Sequence, residues 1–241
     1  MSGYQQGQLS MDAQLQIRKL EAAYRTNGDR PVAYLDETSM PAGVYEGSDP
    51  FYAVTAVVVS KRDHEAIRKD LLAIIGATYW HSTKANETDE GKATLDDLAR
   101  YIGEGKEPVI VSAQALVDPE DKSMEKARAA CLTHLLSSLH GGSHCEPVNL
   151  FVLERRQDQK RRNIDDFTFK AARKSGAVPL TAETLQVSPT YENLLWLPDI
   201  VSYAYYRKMA VKQSGLFDHV EHMVTQISPV PPVKESSPGR P

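Results

Sequence analysis

The stretch PVAYLDETSM, residues 31–40, followed by FYAVTAVVV, residues 51–59, decides how the chain is read. Residues 32–35 are apolar and end at Asp36 and Glu37, which fits a short strand ending in two acids. Residues 51–59 are apolar but for Thr55, as expected of a strand buried on both faces. Pro41, Gly43, Gly47 and Pro50 between them suit a connection between adjacent strands.

Strand and helix signals alternate from there on. Ser60 and Asp63 have the spacing of a capping box, with Asp at the usual Glu or Gln position. Ile67, Leu71, Ile74 and Ile75 then form a helical stripe that stops at Gly76. Leu95, Leu98, Ala99 and Ile102 predict a second helix, and residues 108–116 a third strand. Asp118 and Pro119 read as an N-cap and a first helical residue, ahead of a helix that buries Met124, Cys131, Leu135 and Leu139. Residues 148–153 predict a strand, 165–174 a short helix closed by Gly176, and 184–187 a fifth strand. The last expected element is a helix through Ile200, Val201, Ala204 and Lys208. The pattern is α/β: a mixed sheet covered by helices, with the strand order left open.

Residues 31–227 are expected to form one domain, since a chain of 241 residues suits one good core and no internal linker interrupts it. Residues 1–30 read as an extension, partly disordered or helical, with a helix predicted over 11–24. Residues 228–241, SPVPPVKESSPGRP, read as a disordered proline-rich tail. Neither a membrane-spanning run nor a secretory signal is evident, so a cytoplasmic protein is expected. The net charge of −4 excludes a broadly basic nucleic-acid coat but leaves room for local basic patches and bound cations. Two cysteines, Cys131 and Cys145, make no disulfide framework.

Three acids fall where elements end or begin: Asp36 after VAYL, Glu154 after NLFVL, and Asp199 at the start of the last helix. Carboxylates at neighbouring strand ends converge in a sheet, repel one another, and are relieved by a divalent cation. An all-oxygen donor set suits Mg²⁺ or Mn²⁺ better than zinc. Side chains alternate along a strand, so Asp36 shares a face with Val32 and Tyr34 while Glu37 points the other way. Asp36 is therefore preferred, with Glu37 in reserve. The competing readings are structural: Asp199 caps its helix behind an opening Pro198, and Glu154 pairs with Arg155 or Arg156.

Together, YLDETS, FYAVTAVVV and LLWLPDIVSYAYYRK resemble a bacterial and phage family labelled domain of unknown function 3800. The resemblance covers roughly residues 31–208. It implies a ribonuclease-H-like fold and a divalent-metal site, with the first motif's acids on Asp36 and Glu37, the mid-chain acid on Glu154 and the closing Asp on Asp199. It also matches His81, in YWHSTKA, to a histidine often found in a loop after the first helix; under the nuclease reading this residue assists proton transfer. Thr38 and Ser39 stand where the family has Ser-Gly, and Pro198 where it has alanine.

The expected activity is phosphodiester hydrolysis on DNA or RNA, with Asp36, Glu154 and Asp199 as metal ligands and Glu37 and His81 completing the catalytic set. Under the nuclease reading Arg155, Arg156, Lys160, Arg161 and Arg162 form a phosphate-binding loop; the competing reading is a solvated charged loop. The alternative is a catalytically inactive ribonuclease-H-like module, binding nucleic acid or protein in a phage, mobile-element or defence setting. A glycosidase using the same acids lacks sugar-stacking motifs. His134, His140, His144 and Cys145 lack the paired-cysteine spacing of zinc sites. Tyr203, Tyr205 and Tyr206 are expected in the core rather than stacking on bases.

Overall fold

Nine residues of Val32–Met40 (β1) pair antiparallel with all nine of Phe51–Val59 (β2), from Val32 opposite Val59 to Met40 opposite Phe51. The first strand is thus longer than its apolar half. Its polar half, from Asp36, stays in the ladder because β2 supplies backbone partners along its whole length. The computed structural model describes residues 9–45, 49–115, 117–118 and 120–229. Gly47, Leu116, Pro119 and the tail from residue 230 lie outside the described residues, so expectations that rest on them stay open.

Four more strands complete one mixed sheet: β3 (Val109–Gln114), β4 (Leu150–Glu154), β5 (Glu183–Val187) and β6 (Val224–Ile227). The order is β5-β4-β1-β2-β3-β6. The trio β1, β2 and β3 is antiparallel, whereas β4 runs parallel to β1, β5 to β4, and β6 to β3. The fold is therefore α/β, a six-stranded mixed sheet flanked by helices.

The central strands are apolar on both faces because helices cover both. One face carries Tyr34, Ala53, Val57 and Val152 against α2 (His64–Ile75), α4 (Asp89–Gly103), α7 (Trp196–Met209) and α8 (Gly215–Val220). The other carries Leu35, Val54, Phe151 and Leu153 against α5 (Glu125–His140) and α6 (Gln159–Lys174). The N-terminal helix α1 (Met11–Asn27) packs on the first face through Leu20 and Ala23. A short helix, α3 (Ser82–Ala85), precedes α4. No helix among the described residues is long and apolar enough to cross a membrane.

Three local expectations need correction. Ser60 makes no side-chain cap, and a 3₁₀ turn at Lys61–Asp63 leads into α2 instead. The cap of α5 is Asp121 rather than Asp118: its carboxylate accepts from the Lys126 and Ala127 amides at 2.9 and 3.0 Å. Met124, with φ of 57°, makes the sharp entry. Finally, α6 begins at Gln159, so Lys160, Arg161 and Arg162 lie in its first turn rather than on a loop. The sequence reading also stopped before α8 and β6, whose short segments carry too few residues for a period to show.

Candidate carboxylate site

The parallel pairing of β1 and β4 places Leu35 beside Leu153. The next residues, Asp36 and Glu154, therefore lie side by side, and both continue the face of Tyr34 and Val152. That face is covered by α7, which brings Asp199 opposite them. Pro198 is the third residue of α7 rather than its first, where a missing N–H still costs no intrahelical bond. Asp199 does not cap its helix. The preceding 3₁₀ turn, Asn193–Leu195, is capped by Glu192, which accepts from the Leu194 amide at 3.1 Å.

Asp199 is held from across the site. Its Oδ2 accepts from the backbone N–H of Ser82 at 3.0 Å and from the Ser82 hydroxyl at 2.8 Å. Ser82 is fully buried at the start of α3, so the segment around His81 is docked onto the carboxylate. His81 caps the same helix, its Nδ1 accepting from the Thr83 amide at 3.3 Å. Sequence reasoning singled out His81 and missed Ser82. The signal lay one residue away, in a serine at a helix start.

Electrostatics tie the three acids together. Burial raises the Asp36 carboxyl well above the ordinary aspartate range, and the charges of Asp199 and Glu154 raise it further. Burial and then Asp199 raise Glu154, while His81 opposes them. Burial raises Asp199, against the lowering effects of the Ser82 bonds and His81. All three are half-buried, and burial is the largest cause of the shift for each. None forms an ion pair with a lysine or arginine among the described residues. Two buried hydroxyls also lack hydrogen-bond partners among the described residues: Thr55 Oγ1, whose residue is paired with Asp36 across the ladder, and Ser202 Oγ, three residues beyond Asp199.

Three carboxylates and two hydroxyls are the donor types that suit a hard divalent cation. The side chains as they stand do not yet form a cage, since among the described residues no three of His, Cys, Asp or Glu could hold a metal ion. Repulsion between like charges drives such side chains apart, and rotation about side-chain bonds is what convergence requires.

Glu37 belongs to a different assembly. It points to the opposite face, where it accepts from Tyr52 Oη at 2.6 Å and Arg128 Nε at 2.5 Å. Arg128 also pairs with Asp165, and Arg156 joins Asp165 at 3.2 Å to Glu125 at 2.6 Å. Burial pushes Asp165 up to about 6, opposed by the two arginines. Arg128, Asp165, Tyr52 and Glu125 were not anticipated, because ion pairs between distant segments leave no local pattern. The network borders a cavity of about 430 Å³ that reaches Asp36 and Glu154, with a floor of Leu35, Val54, Leu132 and Leu153.

The five basic residues after β4 divide accordingly. Arg155 pairs with Asp12 of α1, Arg156 with Glu125 and Asp165, and Arg162 donates to the Arg156 and Gln157 carbonyls at 2.7 and 2.6 Å. Lys160 and Arg161 are exposed and form no side-chain ion pair among the described residues. The histidines weighed for zinc are dispersed: His134 faces Ser112 at 3.4 Å and His140 the Val148 carbonyl at 3.4 Å. Cys131 is buried, and burial pushes its thiol up to about 12. Of the three tyrosines expected in the core, Tyr205 is there, while Tyr203 and Tyr206 are half-exposed.

Comparison with known proteins gives no match to a family model, to a curated protein or to a solved structure. The family resemblance thus rests on the three quoted segments alone.

Proposed function

We propose that this chain is a divalent-metal-dependent nuclease of ribonuclease-H-like fold. The observation that carries the reading is the half-buried trio Asp36, Glu154 and Asp199, brought from two adjacent strand ends and a facing helix, with no lysine or arginine paired to them among the described residues. Support for the fold comes from the order β3-β2-β1-β4-β5, an antiparallel trio followed by parallel neighbours, with β6 as an added edge. Mg²⁺ or Mn²⁺ held by the three acids would supply charge stabilisation and an activated water for phosphodiester hydrolysis. The chain's own groups have distinct tasks in this reading. Ser82 aims Asp199, His81, whose charge acts on Glu154, would move a proton, and Lys160 and Arg161 would offer phosphate contacts.

The test is Mn²⁺ titration by calorimetry of the wild type, Asp36→Asn and Asp199→Asn, followed by cleavage assays on end-labelled DNA and RNA. Binding that weakens in both variants, with metal-dependent cleavage in the wild type alone, is the expected result. A second reading has one observation in its favour: no three ligating side chains among the described residues meet as they stand. This is a ribonuclease-H-like binding module without catalysis, of the kind a phage, mobile element or defence system would use. Absence of Mn²⁺ binding in the wild type decides for it.

A further inference from the structure

On α7, Asp199, Tyr203 and Arg207 follow one another at four-residue intervals, so they share a face and climb about 6 Å per step. Tyr203 is half-exposed, and the charge of Asp199 reaches its hydroxyl. Arg207 Nη1 donates to Tyr203 Oη at 3.3 Å, and its guanidinium lies 5.9 Å from the ring centroid. Beside this row, Tyr206 Oη donates to Tyr45 Oη at 3.4 Å, and Tyr45 is 44% exposed. On the flank nearer α3, Tyr79 is 50% exposed, with Lys84 Nζ 5.8 Å from its ring centroid. Past Arg207 the surface sinks into a groove of about 330 Å³ lined by Asn86, Lys92, Arg207 and Gln213.

We propose that this face, from Asp199 through Tyr203 to Arg207, is a track for single-stranded nucleic acid, with Tyr203 stacking on a base next to the scissile phosphate. The inference deepens the nuclease reading and rests on it for the role of Asp199. Aromatic rings interleaved with cations suit unpaired bases, because a tyrosine can stack only on a base already out of its helix. A duplex asks instead for a wide basic surface. The chain carries a net charge of −4, and three of the five basic residues after β4 are already engaged by the fold.

Fluorescence anisotropy with labelled oligonucleotides tests this in the Asp36→Asn protein, whose blocked chemistry leaves the substrate intact. The probes are single-stranded DNA, single-stranded RNA and a DNA duplex of about 12 nucleotides, a length within the range one such surface covers. Single strands bind roughly ten-fold or more tightly than the duplex in the expected result, and the two single strands compared show which sugar is preferred. Tyr203→Leu weakens single-strand binding roughly ten-fold, since each stacked base contributes that order. Tyr203→Phe keeps the affinity, because stacking needs the ring and not the hydroxyl. Arg207→Gln lowers the salt dependence of log Kd by about 0.7.

Equal affinity for the duplex, no binding to any probe, or no change in Tyr203→Leu overturns the track. So does a Tyr203→Phe variant as impaired as Tyr203→Leu, which makes the hydroxyl a structural group. Wild-type cleavage in Mn²⁺ separates the two readings. Cleavage without the tyrosine-dependent preference leaves the nuclease and removes the track. Tyrosine-dependent single-strand binding without cleavage leaves the track and removes the nuclease.

Discussion

Replacing Asp36 by asparagine in metal-free protein should make the fold more stable at neutral pH. Asp36 bears both burial and the charges of Asp199 and Glu154. Two unit charges about 6 Å apart in a medium of effective dielectric about 20 repel by roughly 3 kcal/mol. The half-exposed edge of Asp36 lets solvent screen part of this, which leaves about 1–3 kcal/mol to be recovered by an uncharged isostere. For a domain of this size that corresponds to a rise in Tm of about 3–8 °C. The sign follows from the raised carboxyl. Its favourable contribution is complete below the unfolded pKa, about 3.9, and is lost as pH climbs through the higher folded value. The advantage of Asp36→Asn should therefore be large at about pH 7.5 and shrink toward about pH 4.5. Thermal melts in EDTA across that range measure it. A variant that melts at or below the wild type at neutral pH, or a gap that ignores pH, refutes the reasoning. Saturating Mn²⁺ should then reverse the order, because a cation at about 100 times its Kd stabilises the wild type by ~2.7 kcal/mol.

Two further perturbations separate the site from its supports. Ser82→Ala removes the hydroxyl that donates to Asp199 at 2.8 Å but keeps the amide bond, so urea melts should show a loss of about 1–2 kcal/mol. Metal-dependent cleavage in that variant should fall about ten-fold as Asp199 loses its aim, and unchanged cleavage would remove Ser82 from the site. Arg128→Met strips Glu37 and Asp165 of their shared cation and should cost about 3–5 kcal/mol in urea melts at neutral pH. Once protonation relieves Asp165 in acid, that cost should diminish, so a loss that does not depend on pH counts against an ionic role.

Much of the frame was legible because it depends on local period. Residues 51–59 are apolar but for Thr55, and they form the most completely buried strand. Leu95, Leu98, Ala99 and Ile102 are all buried on one helix face, as their spacing predicts. Gly76 ends α2 in the left-handed conformation that its position suggests. The acids at element edges were readable for the same reason, since an edge shows where an apolar run stops. What escaped notice depends on partners far apart in sequence. Residues 36–40 look like a loop until β2 is set beside them. The pairing of Arg155 with Asp12 spans 143 positions, and that of Arg128 with Glu37 spans 91. No window along the chain contains both members of either pair.

The two faces of β1 show why Asp36 stands apart from the chain's other buried acids. On one side Glu37 is met by Arg128 and Tyr52. On the other, beneath Asp36, Tyr34 leads to Tyr24 at 2.7 Å, and Tyr24 leads to Glu192, which Arg68 neutralises at 2.6 Å. Glu37, Asp165 and Glu192 are each given an arginine, as low-dielectric surroundings require. Asp36, Glu154 and Asp199 sit among these satisfied groups; Asp199 accepts two hydrogen bonds from Ser82, and His81 acts on Asp199 and Glu154, but no lysine or arginine among the described residues pairs with any of the three. A fold that supplies a guanidinium to Glu37, Asp165 and Glu192 and backbone amides to Asp121, yet pairs none of three adjoining acids with a lysine or arginine among the described residues, carries a cost in stability. A cation from solvent would remove that cost. The clamps on both sides of β1 then acquire a purpose, since they fix the strand end from which Asp36 projects.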